Sequence, residues 1–349
     1  MPFEKGTLNL CVLKISGKLP DNHLELFQGK VAGKLDDVSD KPQVGWIGGR
    51  HLLERKIDES SSQIAGFTHL NLRISQRKIP PALLRAECRK EELDYMVAKN
   101  VNFVPAKVKW TIKKEIEERR LMSMPPTISG TPFVISPKDG IIYLSTSSTA
   151  RIAIFQEILE QTLKISSVQL DFANSSKILV NENIEKYKAV QFCNSPTKTS
   201  AELSARDFLT WLWYHSEINQ GEVKMRNHSY NCLIEGPLTF SSSEECEGGV
   251  ETSIRKGMPS RSAEAKSALF VGKKLKKASI SIARDKDVWK AAFNADNFIF
   301  TSLSLPEGEK LDPASAFEER IRLLAEFHSV IVEYLKNFFA LMNSPNWKN

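Results

Sequence analysis

Apolar and polar residues alternate with period two in several stretches of the chain, which is the pattern of β-strands with one buried face. These stretches are residues 7–15, 68–75, 231–240, 250–255, 279–284 and 288–303. Between the apolar runs PFVIS and IIYLST, Asp139-Gly140 predicts a hairpin, because glycine accepts the positive φ of a tight turn.

Other stretches have the periodicity of helices. Two of them open with proline, which suits the first helical turn: PALLRAECRKEELDYMVA from Pro81 and PAKVKWTIKKEIEERRLM from Pro105. Residues 150–163 are also predicted to be helical. In SARDFLTWLWYHSE, Ser204 and Asp207 have the spacing of a capping box, which predicts that a helix begins there.

Together these elements predict an α+β fold with mixed antiparallel sheets and long helices. Residues 172–203 are polar and rich in serine and asparagine, so we interpret them as a linker or surface excursion. They would separate an N-terminal α+β region, residues 1–171, from a C-terminal α+β region, residues 204–349. The second region would contain a basic helix and a long terminal helix.

The terminal helix, from about Pro313 to Met342, carries an apolar stripe with heptad spacing. Its members are Phe317, Ile321, Leu324, His328, Ile331, Leu335, Phe338 and Met342. Two interpretations remain open. The stripe packs on a sheet within one chain, or part of it forms a dimer interface. The interface candidates are Ile321, Leu324, Ile331, Leu335 and Phe338.

Charge is distributed unevenly along the chain. The 349 residues are 41% hydrophobic and 26% charged, as in a globular protein, and carry a net charge of +6. Residues 255–290 contain eleven Lys and Arg against three Asp and Glu, a net charge of +8, so the rest sums to −2. This segment predicts an anionic partner.

A helix over residues 261–278 would have an apolar face of alanine, glycine and leucine and a cationic side. The cationic side would hold Lys266, Lys273, Lys274, Lys276 and Lys277. Glu264 is the only acidic residue in this segment, so few i,i+4 ion pairs could neutralise the lysines. We predict that this helix binds a polyanion, with Arg284 in the strand that follows. The alternative is a solvated charged face.

Two further basic clusters support a long polyanion rather than a small phosphate. One lies on the helix from Pro105, and the other ends the strand at 68–75. Their members are Lys107, Lys109, Lys113, Lys114, Arg73, Arg77 and Lys78. No helix-turn-helix or zinc-finger signature is present to read bases. The expected partner is therefore duplex DNA, bound through its phosphates with little sequence preference.

Several segments resemble the bacterial RdgC family of recombination-associated proteins, in particular its longer branch. These segments are IPPALLRAE, PAKVKWTIKKEI, DGIIYLST, ARDFLTWLWYHSE, SAEAKSALFVGKKLKKASISIARD and FEERIRLLAEF with FFALMNSPNW. They extend over about two thirds of the chain. One departure is LMSMPPTISGTPF: residues 121–132 contain no basic or aromatic residue, although shorter members are expected to have them there.

The resemblance implies properties that the residues alone do not show. RdgC-like proteins are α+β chains that pair into a ring-shaped homodimer, and duplex DNA passes through a positively charged hole. The implied role is non-enzymatic: the protein occupies DNA and restrains a recombinase. The implied location is the bacterial nucleoid in the cytoplasm. This agrees with the absence of a signal-peptide pattern and of a long apolar span in the sequence.

A metal-dependent DNA nuclease, in particular an exonuclease, is the main alternative, because such enzymes cluster carboxylates around Mg²⁺. The nearest pattern is Glu222-Val223-Lys224, with Asp207 or Glu217 upstream. No Walker motif is present, and the five cysteines form no zinc signature. We expect no catalysis, cofactor or metal.

The remaining motifs have structural explanations. Ser195 to Lys198 match SxxK but lack companion motifs. His215 and His328 fall on apolar helix faces, and Trp211 and Trp213 have the neighbours of core residues. An RNA-binding surface stays open because residues 288–300 are aromatic. Membrane binding is disfavoured, because the apolar face at 265–275 lacks bulky aromatics.

Overall fold

A computed structural model describes residues 2–192, 202–242, 249–308 and 312–344. The chain forms two compact units, and each unit is built from stretches that are not contiguous in sequence. The first contains residues 1–21, 63–69 and 132–349, and the second contains residues 22–62 and 70–131. This division does not coincide with the expected boundaries at 171/172 and 203/204.

Strands and helices alternate irregularly along the described chain, as the α+β prediction requires. The strands are β1 (Leu8–Ile15), β2 (Gln43–Gly48), β3 (Gln63–Ile64), β4 (Phe67–Gln76), β5 (Thr127–Ser136), β6 (Ile141–Leu144), β7 (Ser167–Gln169), β8 (Glu222–Met225), β9 (His228–Ser241), β10 (Glu251–Ile254), β11 (Lys274–Arg284), β12 (Asp287–Asn294) and β13 (Ile299–Ser304). The helices are α1 (His23–Gly29), α2 (Glu59–Ser62), α3 (Pro81–Lys99), α4 (Ala106–Leu121), α5 (Thr149–Leu163), α6 (Phe172–Ser175), α7 (Ala205–Ile218), α8 (Ala263–Phe270) and α9 (Pro313–Met342).

Antiparallel sheet forms the centre of the first unit. Its neighbouring strands are β10, β9, β11, β12, β13, β1, β6 and the unit's part of β5, and β8 also pairs with β9. Helices α7 and α9 pack on one face of this sheet, where the apolar side chains of β8 to β13 point. On the opposite face of β5, Phe133 packs against Phe155 of α5 with ring centroids 4.8 Å apart.

Local signals located several elements correctly. Pro81 opens α3, and Gly140 has a positive φ of 59° in the hairpin between β5 and β6. Ser204 and Asp207 form the predicted capping box at the start of α7. The single stretch predicted at 288–303 is instead two strands, β12 and β13, because residues 295–298 turn the chain.

The stripe on α9 belongs to the core of one chain. All five interface candidates are buried there, each with at most 1% of its surface exposed: Ile321, Leu324, Ile331, Leu335 and Phe338. They pack with residues of the sheet and of α7. The dimer-interface interpretation of these residues is therefore wrong. A heptad stripe supplies a flat apolar surface, and here the sheet of the same chain covers it.

The predicted basic helix at 261–278 is also wrong. Helix α8 ends at Phe270, and Gly272 adopts a φ of 82°, a conformation that L residues rarely adopt. The chain then enters β11 at Lys274, five residues before the predicted start of the strand. Three of the lysines, Lys274, Lys276 and Lys277, therefore lie in a strand and do not share one helix face. Pairing with β9 and β12 outweighs local helix propensity.

The stretch at 172–203 is not a separate linker where the structure describes it. Its first residues form α6, a π-helical turn (Ser176–Val180) and a 3-10 turn (Ile184–Lys186). Phe172 stacks on Phe208 and Phe339, with ring centroids 6.2 and 6.1 Å apart. A buried aromatic therefore anchors this polar segment to the core.

The second unit pairs β2 with β4, with Gln43 opposite Ser75 and Gly48 opposite Leu70. Its helices α3 and α4 lie side by side and are joined by ion pairs between basic residues of α4 and glutamates of α3. No residue of α3 is fully buried. Ion pairs are therefore part of the contact between the two helices.

Candidate nucleic-acid interface

Two of the predicted phosphate-binding arginines lie inside the second unit. Arg73 is only 1% exposed, and its guanidinium donates to the main-chain oxygens of Leu52 and Gly33. Arg77 donates to the oxygen of Val38 at 2.8 Å and to that of Met124. Burial lowers the pKa of Arg73, with a smaller contribution from Arg55. Both arginines tie loops together and are removed from the candidate surface.

The lysines at residues 273 to 277 have different partners at the start of β11. Lys274 is buried, and its Nζ lies 2.5 Å from Oδ1 of Asp207. Lys276 is paired with Glu251 at 3.0 Å and with Asp296 at 3.7 Å. Lys273 donates to Oγ1 of Thr252 at 2.7 Å. These three lysines thus have partners within the chain, and Lys274 is unavailable to an external polyanion.

Arg284 also has its partners within the chain. Its guanidinium pairs with Glu326 of α9 and with Asp287. It also lies over the rings of Tyr230 and Trp289, 6.0 and 5.5 Å from their centroids. Arg284 is only partly desolvated, and its hydrogen bonds raise its pKa above the usual range. The residue holds α9 to the sheet.

The lysines of α4 are exposed but mostly ion-paired. Lys109 lies 3.6 Å from Glu92, Lys113 lies 3.7 Å from Glu117, and Lys114 lies 3.8 Å from Glu118. Exposed pairs of this kind are weak, about 0–1 kcal/mol, so these lysines could exchange partners. Lys107 and Lys78 are exposed and have no ion pair in the part of the chain that the structure describes.

One face of the sheet between β9 and β13 is open to solvent, opposite the face that α7 and α9 cover. Many of its side chains are small: Thr239, Ser253, Ser279, Ser281, Ala283, Ala292 and Ser304. The larger Leu233, Glu235 and Val288 lie beside them. Antiparallel sheets commonly have one packed face and one solvated face. The small side chains make this face flat.

Two exposed lysines stand on this open face. Lys277 lies between Thr239 of β9 and Asn294 of β12, and Lys290 lies between Ser281 of β11 and Ser304 of β13. With a strand rise of about 3.3 Å, their Cα atoms are about 14 Å apart. That is the axial length of about four base pairs at 3.4 Å each. The alternation of VWKAAFN would have revealed Lys290, which the sequence interpretation missed.

More unpaired cations lie in this part of the chain. Nine exposed Lys and Arg between residues 224 and 290 have no ion pair among the described residues: Lys224, Arg226, Arg255, Lys256, Arg261, Lys266, Lys277, Lys286 and Lys290. Only Lys266 and Lys277 were predicted. Glu222 and Glu235 also lie on these strands, where they accept hydrogen bonds from Ser229 and Ser281. A flat surface with scattered cations can contact a polyanion through phosphates.

The residues considered for catalysis do not converge where the structure describes them. Asp207 is buried beside Lys274, and Oε1 of Glu222 accepts from Ser229 at 2.7 Å. No group of three or more His, Cys, Asp or Glu that could hold a metal occurs among the described residues. Ser195 to Lys198 lie outside the described residues.

Histidines and tryptophans singled out in the sequence are packing residues. Trp211 and Trp213 are buried, and His215 stacks on Trp211 with ring centroids 4.9 Å apart. His328 packs edge-on against Tyr143, and burial lowers its pKa to about 4. Neither tryptophan is accessible for stacking on a base.

The buried cysteines do not have the environment of nucleophiles. Burial raises the pKa of Cys11 to about 12, helped by Asp171, and burial alone raises that of Cys232 to about 12. Both thiols therefore stay protonated at neutral pH and behave as small apolar side chains.

Comparison with protein-family models gave no match. Comparison with curated proteins also gave no match. No helix among residues 2–192, 202–242, 249–308 and 312–344 is long and apolar enough to cross a membrane.

Proposed function

We propose that this protein binds duplex DNA without sequence preference and restrains recombination, as its resemblance to the RdgC family implies. The observation that carries the proposal is the open sheet face, where Lys277 and Lys290 are exposed and have no ion pair within the described part of the chain. This surface replaces the basic helix expected from the sequence. Separated lysines on a sheet face suit contact with the DNA backbone.

The open face also carries Glu235. It lies opposite Ser279 and accepts a hydrogen bond from Ser281, which is directly beside Lys290. The DNA phosphates would contact Lys277, Lys290 and the exposed turn residues Arg226 and Lys286. Because each contact is to a phosphate, affinity should depend steeply on salt.

A gel-shift series tests the DNA-binding proposal directly. Lys277→Gln/Lys290→Gln should weaken binding to unrelated duplexes by the same factor. The slope of log K against log salt should decrease by about 0.9 for each lost phosphate contact. The control is Lys177→Gln/Lys336→Gln, which removes the same charge from residues off this sheet. If both variants bind like the wild type, the open face is not the DNA surface.

We also propose that the protein acts as a homodimer that encloses DNA. The α9 stripe is excluded as the contact, because it is buried within one chain. Sedimentation at micromolar concentration should give about twice the chain mass of 39.3 kDa. If the mass is that of one chain at every concentration, the dimeric ring is wrong. DNA binding by the open face of one chain would then still stand.

The effect on recombination is tested in a strand-exchange reaction with a purified recombinase. Wild-type protein should slow the reaction, and Lys277→Gln/Lys290→Gln should slow it less, in proportion to its weaker DNA binding. The nuclease alternative predicts instead that clean protein cleaves labelled DNA with Mg²⁺ or Mn²⁺, and that Glu222→Gln abolishes cleavage. An RNA-binding protein would prefer RNA over duplex DNA in the same gel shift.

A further inference from the structure

The loop that joins α3 to α4 is flanked by exposed apolar side chains. It consists of residues 100–105, between the end of α3 and the start of α4. Val97, Phe103 and Trp110 are 82%, 71% and 64% exposed. Scattered apolar side chains are normal on a protein surface, but a concentration of them around one loop marks a binding surface. We call residues 95–114 the hairpin tip.

The hairpin tip is also strongly basic. It contains five lysines and no Asp or Glu, which gives it a net charge of +5. Lys99 and Lys107 are exposed and have no ion pair in the part of the chain that the structure describes. Lys109 is also exposed and lies 3.6 Å from Glu92. The tip therefore suits a partner that is negatively charged and also offers an apolar phase.

Main-chain hydrogen bonds and one buried side chain fix the shape of the loop. Asn100 ends α3 in the left-handed conformation, with a φ of 50°. The N–H of Val101 donates to the oxygen of Met96 at 3.0 Å. Val104 is only 8% exposed and anchors the loop between its exposed neighbours. A segment whose shape is already fixed loses little conformational entropy when it binds, which favours affinity.

The exposed apolar side chains lie within a shallow depth of the tip. With a helical rise of about 1.5 Å per residue, Val97 is about 3 Å and Trp110 about 6 Å from the ends of their helices, and Phe103 is in the loop itself. Interfacial protein segments bury their apolar side chains about 5–10 Å into the boundary between lipid headgroups and acyl chains. Lys99 and Lys107 lie at the same depth, and their long stems let the ammonium groups reach lipid phosphates. The dimensions of the tip therefore match the surface of a bilayer.

Two other occupants fit these side chains less well. A second copy of the tip would bring two groups of five lysines together, and residues 95–114 contain no acidic residue to neutralise them. The backbone of duplex DNA would neutralise the lysines but offers no apolar phase for Val97 and Phe103. An anionic bilayer meets both requirements, and Trp110 is of a residue type enriched at membrane–water interfaces.

We propose that the hairpin tip inserts into the surface of an anionic phospholipid bilayer. Val97, Phe103 and Trp110 enter the region between headgroups and acyl chains, and the lysines of the tip contact lipid phosphates. The binding is peripheral and reversible, because the apolar patch is small. Residues 265–275, on which the sequence disfavoured membrane binding, take no part in it. This site is separate from the open sheet face and does not depend on the DNA-binding proposal.

Flotation with lipid vesicles tests the proposal on the full-length protein. The protein should float with vesicles of phosphatidylcholine and phosphatidylglycerol and should not float with vesicles of phosphatidylcholine alone. Each lysine near an anionic surface changes the affinity about fivefold, so Lys99→Gln/Lys107→Gln should weaken binding by at least about tenfold. Phe103→Ser/Trp110→Ser should weaken it by a similar factor, because the apolar contact is lost.

Two control variants match these changes elsewhere in the chain. Lys177→Gln/Lys336→Gln removes the same charge. Tyr214→Ser/Phe270→Ser removes two aromatic rings from residues that are 55% and 57% exposed. Both controls should bind vesicles like the wild type. Circular dichroism checks that every variant is folded.

The fluorescence of Trp110 distinguishes insertion from simple charge attraction. Its emission is the difference between the wild type and Trp110→Phe. Anionic vesicles should shift this emission to shorter wavelength. Lipids brominated near the headgroup should quench it more strongly than lipids brominated near the chain ends, because the tip enters only the interface.

The proposal is overturned if the protein does not bind anionic vesicles, if it binds neutral vesicles equally, or if the tip variants bind like the wild type. It is also overturned if Trp110 emission does not change. Gel shifts separate it from the DNA-binding proposal: Lys277→Gln/Lys290→Gln should bind vesicles like the wild type. If Lys99→Gln/Lys107→Gln loses affinity for duplex DNA and keeps that for vesicles, the tip contacts nucleic acid instead.

Discussion

Lys274 and Asp207 form a buried ion pair between the first residue of β11 and the first turn of α7. The Nζ of Lys274 lies 2.5 Å from Oδ1 of Asp207, and the carboxylate has no exposed surface. The same carboxylate accepts hydrogen bonds from the main-chain N–H groups of Val190 and Ser204. One residue of the lysine run thus serves to fix a helix start on the sheet.

Lys274→Met should destabilise the fold without reducing the DNA affinity of the protein that remains folded. It leaves Asp207 buried without a counter-charge, which typically costs 3–5 kcal/mol. Urea unfolding measures the loss of unfolding free energy. Lys277→Met is the matched control, because Lys277 is exposed and its substitution should cost well under 1 kcal/mol. A Lys274→Met protein with wild-type stability and weaker DNA binding would contradict the assignment.

Leu335→Ala tests the position of the α9 stripe. Leu335 is completely buried, so removing its side chain leaves a cavity and should lower the free energy of unfolding by about 2–5 kcal/mol. The oligomeric state of the folded protein should not change. Denaturant unfolding and sedimentation measure the two quantities. Dissociation without loss of stability would restore the stripe as an interface.

Arg77→Met should destabilise the second unit through its main-chain partners. The guanidinium donates to the oxygens of Val38 and Met124, and hydrogen bonds to charged groups contribute about 1.5–3 kcal/mol each. Hydrogen exchange should show faster opening in residues 35–40 and 122–124. Lys78→Met is the neighbouring control, because Lys78 is exposed. Equal protection in both variants would show that Arg77 does not hold these loops.

Two histidines should make the protein less stable in mild acid. Burial lowers the pKa of His69 and of His328 to about 4, and His69 lies between Phe3 and Phe317. The unfolded chain takes up these protons near pH 6.5, whereas the folded chain resists until about pH 4. Stability is therefore full above pH 6.5 and falls as the pH is lowered, by about 1.4 kcal/mol per pH unit for each histidine.

Urea unfolding at pH 7 and pH 5 measures this dependence. His69→Phe should remove about half of the histidine contribution, because its ring cannot be protonated. His228→Gln should leave the slope unchanged, because His228 is exposed. An unchanged slope in His69→Phe would mean that His69 binds its proton equally well in the folded and unfolded chains.

The sequence by itself determined the elements whose signals are local. Pro81 and the capping box of Ser204 and Asp207 define helix starts through groups within one turn, and Gly140 defines a hairpin through its own φ. Period-two alternation located β1 and β4, and the length of α9 followed from its stripe. These signals succeed because the interacting atoms are close along the chain.

Tertiary structure decided what each charged residue does. Four lysines lie between residues 273 and 277, yet Lys274 is buried against Asp207 and Lys277 faces solvent. The difference arises because β9 pairs with this segment through bulges on both sides of Lys277, so Lys274 reaches Asp207 of α7 while Lys277 faces solvent. The burial of the α9 stripe was decided in the same way, by the sheet that packs against it. A side chain's partner is set by the strands that pair beside it, and those strands are distant in sequence.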